Sequence, residues 1–336
     1  MQYDEFQQKM IAWMEEHIGG RFVVKDVLKT NDAMLKGLTQ IPGEKGISVS
    51  PTVYLDDIYE RYMNGEMSFS AAASIVESEY KQYSSQKENM AQVAGYYTDW
   101  DIVKGKVYMN VVGAKANQQL LQQCPHRIVA NDLAEMYRVL VQKGQNGVTS
   151  YKIDNNMMNV LHVTPEELHE AALVNTPAFF PAEKKSMVDK MIDMMPEDMK
   201  EMFKGQLEEV FGQQLPGNMY VLTNDVGVNG ATTLLYPGML EKLTAELGND
   251  ISILPSSLHE VIICQNGDIT LEELQDMVRE VNCTSVGPEE FLSDNVYSVR
   301  GKELVNCTYR ENYEDIKLED FQDQEIDLDM DMGMEM

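Results

Sequence analysis

Cysteine is scarce: Cys124, Cys264, Cys283 and Cys307 are the four in 336 residues, and no two form a CxxC pair. That spacing excludes a zinc ribbon and a thioredoxin-like redox motif. Scattered cysteines in a chain of this length read as reduced, buried and inert. Basic residues are the second shortage, with 27 Lys and Arg against 55 Asp and Glu and a net charge of −28. So acidic a surface repels phosphate backbones and anionic lipids, which argues against nucleic acid and membrane surfaces as partners. No apolar run approaches the roughly 18–20 residues needed to cross a bilayer. The opening MQYDEFQQKMIAWMEEH lacks the basic start and unbroken apolar stretch of a signal peptide. The NCT triplets at Asn282 and Asn306 would matter only in a secreted chain, so the expected compartment is the cytoplasm. A Walker A loop, a GxGxxG turn, a GxSxG elbow and an internal repeat are also missing. No cofactor and no metal are expected.

What remains is enough to fold. Apolar residues make up 43% and aromatics 8%, sufficient for a core without disulfides. Residues 2–18 carry Phe6, Met10, Trp13, Met14 and His17 at helical spacing, ended by Gly19-Gly20. RFVVKDVLKTNDAMLKGLTQI reads as two strands joined at Thr30-Asn31-Asp32. Pro51 is expected to open a helix over VYLDDIYERYMNG that Gly65 stops, and a second helix covers Phe69–Tyr83. WDIVKGKVYMNVVGAK suggests a helix running into a strand. Arg127–Lys143 shows a continuous stripe of Val129, Leu133, Met136, Tyr137, Leu140 and Val141, predicting a helix with Gly144 at its C′ position. GVTSYKI predicts a strand. Thr164-Pro165-Glu166-Glu167 predicts a capped helix ending near Pro177.

These elements point to an α+β fold, with mixed α/β as the alternative. The expected organisation is an N-terminal helical-plus-hairpin part over 1–182, a Met-rich helical linker over 183–215, a strand–helix–strand part over 216–310 and an acidic tail over 311–336. The linker crowds Met187, Met191, Met194, Met195, Met199 and Met202 among charged residues, a composition suited to a promiscuous partner surface or a loosely packed excursion. From Glu311 onward, 11 acidic residues accompany Lys317 alone, and such a segment reads as solvated and disordered.

Several phrases recur together in a recognisable order: VVKDVLKTND with LKGLTQI, SPTVYLDDIYERYMNGE, NQQLLQQCPHR, TPEELHEAALVNTPAFFPA and MYVLTN…NGATTLLYPGML…ILPSSLHEVII. Over roughly residues 1–310 the chain resembles an uncharacterised domain-of-unknown-function family of soluble proteins from anaerobic gut Firmicutes. The resemblance implies one evolutionary unit and a soluble bacterial protein. It carries over no activity, cofactor or catalytic residue. Where that family suggests a KNNG-like turn, this chain has Lys29-Thr30-Asn31-Asp32.

The stretch Met219–Cys264, read as strand, turn, strand, helix, strand, holds the best candidates for chemistry. His259-Glu260 lacks the second histidine of an HExxH zinc site, because Ile263 occupies that place. His259 could instead act as a base oriented by Glu260, with Ser256 or Ser257 as nucleophile and His126 assisting. The competing reading is a turn. Asn224 and Asn229 are candidate ligand contacts, although Asn229-Gly230 is also a hairpin signal. NGDITLEEL places Ile262 and Cys264 where a calcium loop needs oxygen donors, so Thr270-x-x-Glu273 reads as a capping box before a helix over Leu271–Val281. Cys124 and His126 straddle Pro125, a spacing that does not favour a thiol–imidazole contact. The leading expectation is a non-enzymatic protein that binds a protein partner or small ligand; the alternative is a hydrolase around Ser256, Ser257, His259 and Glu260.

Overall fold

The computed structural model describes residues 1–41, 51–85, 99–144, 147–193, 195–197, 199–200, 219–255, 257–267, 269–308 and 334–335. Helix α1 (Tyr3–His17) buries Phe6, Met10 and Met14 on one side, the face their spacing demands. It packs on an antiparallel sheet of β1 (Phe22–Leu28), β2 (Met34–Gln40) and β3 (Thr52–Tyr54). Helices α2 (Asp56–Met63) and α3 (Phe69–Ser85) complete this N-terminal unit, whose core runs from Phe6 to Tyr80. Pro51 therefore precedes a short strand, not a helix. Val53 and Tyr54 lie on β3, and the helix begins at Asp56.

A second sheet follows α4 (Trp100–Val103). Its central strands are β4 (Val107–Gly113), buried along its full length, and β6 (Leu133–Gly144). Before β6 come α5 (Gln118–Gln123) and β5 (His126–Val129). β6 pairs on its other side with β5 and then β7 (Gly147–Lys152). The helix expected over Arg127–Lys143 is thus two antiparallel strands, and Gly144 ends a strand. Leu133 to Tyr137 are buried at consecutive positions. A strand covered on both faces carries apolar residues without alternation, and its spacing can mimic a helical stripe. Helix α6 (Asn155–Leu161) leads to α7 (Pro165–Phe179), which has the expected Thr164/Glu167 capping box and continues through Pro177.

The third sheet orders β13-β12-β10-β11-β9-β8, all antiparallel. Its strands are β8 (Ala182–Ser186), β9 (Met219–Asn224), β10 (Ile251–Pro255), β11 (Val261–Gln265), β12 (Tyr297–Arg300) and β13 (Glu303–Asn306). Ala182–Ser186 is an edge strand, although the helical linker was expected to begin at residue 183; α8 (Met187–Asp193) follows it. Helices α9 (Met239–Leu247) and α10 (Leu271–Ser285) flank this sheet, the latter capped by Thr270 and Glu273. ATTLL, expected as a strand, forms the 3-10 helix Gly230–Leu235. Met334–Glu335 (β14) pairs with β7; the rest of the acidic tail lies outside the described residues. Every pairing described is antiparallel, so the fold is α+β and the mixed α/β alternative falls.

The second and third sheets share one core, in which Val111, Leu133 and Met136 pack with Ile253, Val261, Ile263 and Tyr297. The hairpin tip Thr30–Asp32 ties the N-terminal unit to both. Asn31 and Asn117 exchange hydrogen bonds at 2.6 and 2.8 Å. The Asn31 side-chain amide also donates to the carbonyls of Pro288 and Phe291.

Candidate functional site

The third sheet brings two loops face to face at the end of β9 and β11. One runs from Asn224 to Leu235; the other is the 257–260 turn between β10 and β11. Asn229 adopts a left-handed conformation at φ 51°, one that Asn tolerates better than most residues. Its backbone N–H donates to Nδ1 of His259 at 3.1 Å. The Thr223 hydroxyl donates to the His259 carbonyl at 2.7 Å, and Ala231 N–H donates to the Leu258 carbonyl. Gly230 sits so close to this turn that a Cβ there would lie 2.2 Å from the His259 carbonyl oxygen. Asn229-Gly230 thus serves as a docking point between loops rather than a hairpin turn.

Of the two candidate nucleophiles, the described residues include Ser257. Ser257 Oγ accepts the backbone N–H of His259 at 3.0 Å, the pattern of a turn-forming serine. Among the described residues no hydrogen bond joins that hydroxyl to the imidazole. Ser256 lies outside the described residues. The Glu260 carboxylate pairs with Lys190 of α8 at 3.2 Å. Glu290 Oε1 lies 3.6 Å from Nε2 of the ring. Because Nδ1 accepts from Asn229, the ring's free nitrogen is Nε2, which faces Glu290. His126 lies on β5 in the second sheet and its Nδ1 contacts the Cys124 carbonyl at 2.9 Å. It makes no described hydrogen bond to the 257–260 turn. Burial pushes the Cys124 thiol up to about 11, which leaves it protonated and unreactive.

Asn224 and Asn229 do come together, lining a cavity of about 10 Å³ with Tyr108, Thr176, Thr232 and Tyr236. That volume suits about one water molecule. Its polar walls are largely occupied. Asn224 binds the Val228 carbonyl and accepts Val226 N–H, Thr232 accepts Val111 N–H, and Tyr236 donates to the Phe180 carbonyl. Among the described residues no group of three or more His, Cys, Asp or Glu is placed to hold a metal ion, and no helix is long and apolar enough to cross a membrane.

One titratable cluster escaped the sequence reading. Glu135 and Tyr137 on β6, His169 on α7 and Arg127 on β5 converge on one face of the second sheet. Reading residues 127–143 as a helix scatters these side chains. A strand period of two would have put Glu135 beside Tyr137.

A sequence model described as a family of unknown function, DUF5688, matches residues 3–300. No curated protein and no solved structure matches the chain.

Proposed function

The chain belongs to DUF5688, a family of unknown function, and from its own residues we propose that it is a cytoplasmic, non-enzymatic protein that works by binding a partner. The observation that carries this reading is the hydrogen-bond ring around the 257–260 turn. Ser257, His259 and Asn229 are engaged in joining two loops, and Glu260 in tethering α8. Catalysis at a serine needs its hydroxyl against the base, and here that hydroxyl points at a backbone amide.

The binding surface is the Met-rich segment that starts at α8. Met187 and Met191 are half-buried, and Met199 is 38% exposed. Unbranched thioether side chains adapt to more than one partner shape. The net charge of −28 favours a partner with a basic surface and disfavours nucleic acid.

The hydrolase reading keeps one supporting observation, the partly exposed His259 ring beside Glu290. A pair of measurements separates the two. Affinity capture with the full chain is compared with a Met187→Gln, Met191→Gln, Met199→Gln variant, and a hydrolase substrate panel is run with His259→Ala alongside. Binding predicts a stoichiometric partner that the Met variant fails to recover. Turnover that vanishes in His259→Ala, with recovery unchanged in the Met variant, would overturn it.

A further inference from the structure

Glu135 is a carboxylate that is only 3% exposed. Its Oε1 accepts the Tyr137 hydroxyl at 2.7 Å and Nδ1 of His169 at 2.5 Å. Burial, reinforced by the adjacent Glu135 charge, holds the Tyr137 phenol far above its ordinary pKa, so it stays a donor to that carboxylate. For stability alone an apolar residue would serve as well at such a position, since a buried ion costs several kcal/mol to desolvate.

What the carboxylate does is fix an imidazole. With Nδ1–H held by Glu135, His169 presents Nε2 outward, the arrangement by which a buried carboxylate sets a ring's tautomer and orientation. The ring is 21% exposed. Arg127, exposed and opposite Glu135 in the β5–β6 register, lays its guanidinium against Nε2. An exposed guanidinium beside an outward imidazole nitrogen is an unusual pairing in so acidic a chain. Both groups become donors once the ring carries its second proton.

We propose that Arg127 and His169 form a binding site for a small oxyanion, a phosphate or carboxylate group, with Glu135 as the positioning residue behind the ring. The anion takes the Arg127 fork, which leaves Nε2, and the ring donates Nε2–H to the same anion after accepting one proton from solvent. Glu135, Tyr137 and Arg127 contact or adjoin the ring, and Glu166 lies near enough to act on Tyr137 electrostatically. These carboxylates and the net charge of −28 restrict the site to a small anion and repel a polyanion.

The test is histidine ¹⁵N NMR on the full chain, with inorganic phosphate and, separately, acetate as probes. The expected result is a saturable shift of the His169 signal while those of His17 and His162 stay still. Affinity should fall about tenfold or more in Arg127→Gln and remain unchanged in Arg300→Gln. Response to phosphate alone assigns the site to phosphoryl groups, and response to both probes assigns it to oxyanions generally. Glu135→Gln should alter the tautomer signature of His169 without ligand, a change that Arg127→Gln does not produce. Should Glu135→Gln unfold the protein, the exposed Arg127 variant still decides the matter. A His169 signal unmoved by tens of millimolar of either probe, or Arg127→Gln binding like the wild type, overturns the proposal.

Discussion

A Cβ at position 230 would lie 2.1 Å from Thr223 Oγ1 and 2.2 Å from the His259 carbonyl oxygen. The second of these is backbone, so it cannot swing aside. Gly230→Ala should therefore destabilise the protein by about 2–3 kcal/mol, read as a lowered urea midpoint at unchanged slope. An unchanged midpoint would mean that the two loops are not rigidly docked. A second residue-scale effect concerns the buried phenols of Tyr137, Tyr236 and Tyr297. Burial raises all three above the ordinary tyrosine range, helped by Glu135, Asp225 and Asp132 respectively. In the unfolded chain a phenol ionises near about pH 10. Above that pH the folded state holds protons that the unfolded state has released, so stability falls as pH rises; below it their contribution is fully present. Alkaline titration should show tyrosinate absorbance from these three appearing only with loss of tertiary structure. Ionisation of all tyrosines ahead of unfolding would refute the assignment.

Capping boxes are the elements whose sequence signal and structure agree most closely. Thr164 accepts Glu167 N–H while the Glu167 carboxylate reaches back to Thr164 N–H, as spacing alone implies. Thr164→Ala should cost about 1 kcal/mol and fray the first turn of α7, seen as faster amide exchange over residues 165–168. Slow exchange there in the variant would show that packing of Leu168 alone holds the turn. The β1–β2 hairpin and the strand at 147–152 are legible for the same reason: their signals are local. Burial on both faces is not local, and it made β6 look helical. The 3-10 helix Gly230–Leu235 was equally hidden, because its hydroxyls are engaged by β4 and by its own first carbonyl rather than by a neighbouring strand. The candidate site divides along this line. Asn229 and His259 were legible as candidates in separate turns, while the hydrogen bond that joins them was not. Lys190 as the partner of Glu260, and Glu135 as the partner of His169, depend on contacts between a helix and a strand or turn far away in sequence, which no spacing rule encodes.

At the scale of the whole molecule, one hairpin tip couples the N-terminal unit to the rest. That unit has its own core, from Phe6 to Tyr80, so its cooperativity with the other two sheets rests on a narrow contact. Asp32 accepts the N–H groups of Gln119 and Leu120 at 2.9 and 3.0 Å, capping helix α5 from a distant part of the chain. Asn31, left-handed at φ 59°, adds the bonds to Asn117, Pro288 and Phe291. Lys152 reaching the Leu28 carbonyl at 3.1 Å is a further tie. Replacing both tip residues, Asn31→Ala with Asp32→Ala, removes the amide and carboxylate contacts and leaves both cores untouched. The loss is about 3 kcal/mol or more of coupling, at roughly 0.5–1.5 kcal/mol for each hydrogen bond. Calorimetry of the double variant should resolve two thermal transitions where the wild type shows one, with the earlier belonging to the unit that contains Trp13. Trp13 donates to Glu77 inside that unit and stacks on His17, so in a Trp100→Phe background its fluorescence reports the first transition separately. If the variant still melts in one step, with calorimetric and van't Hoff enthalpies equal, the units are coupled through apolar packing around Leu28 instead of through the polar tip.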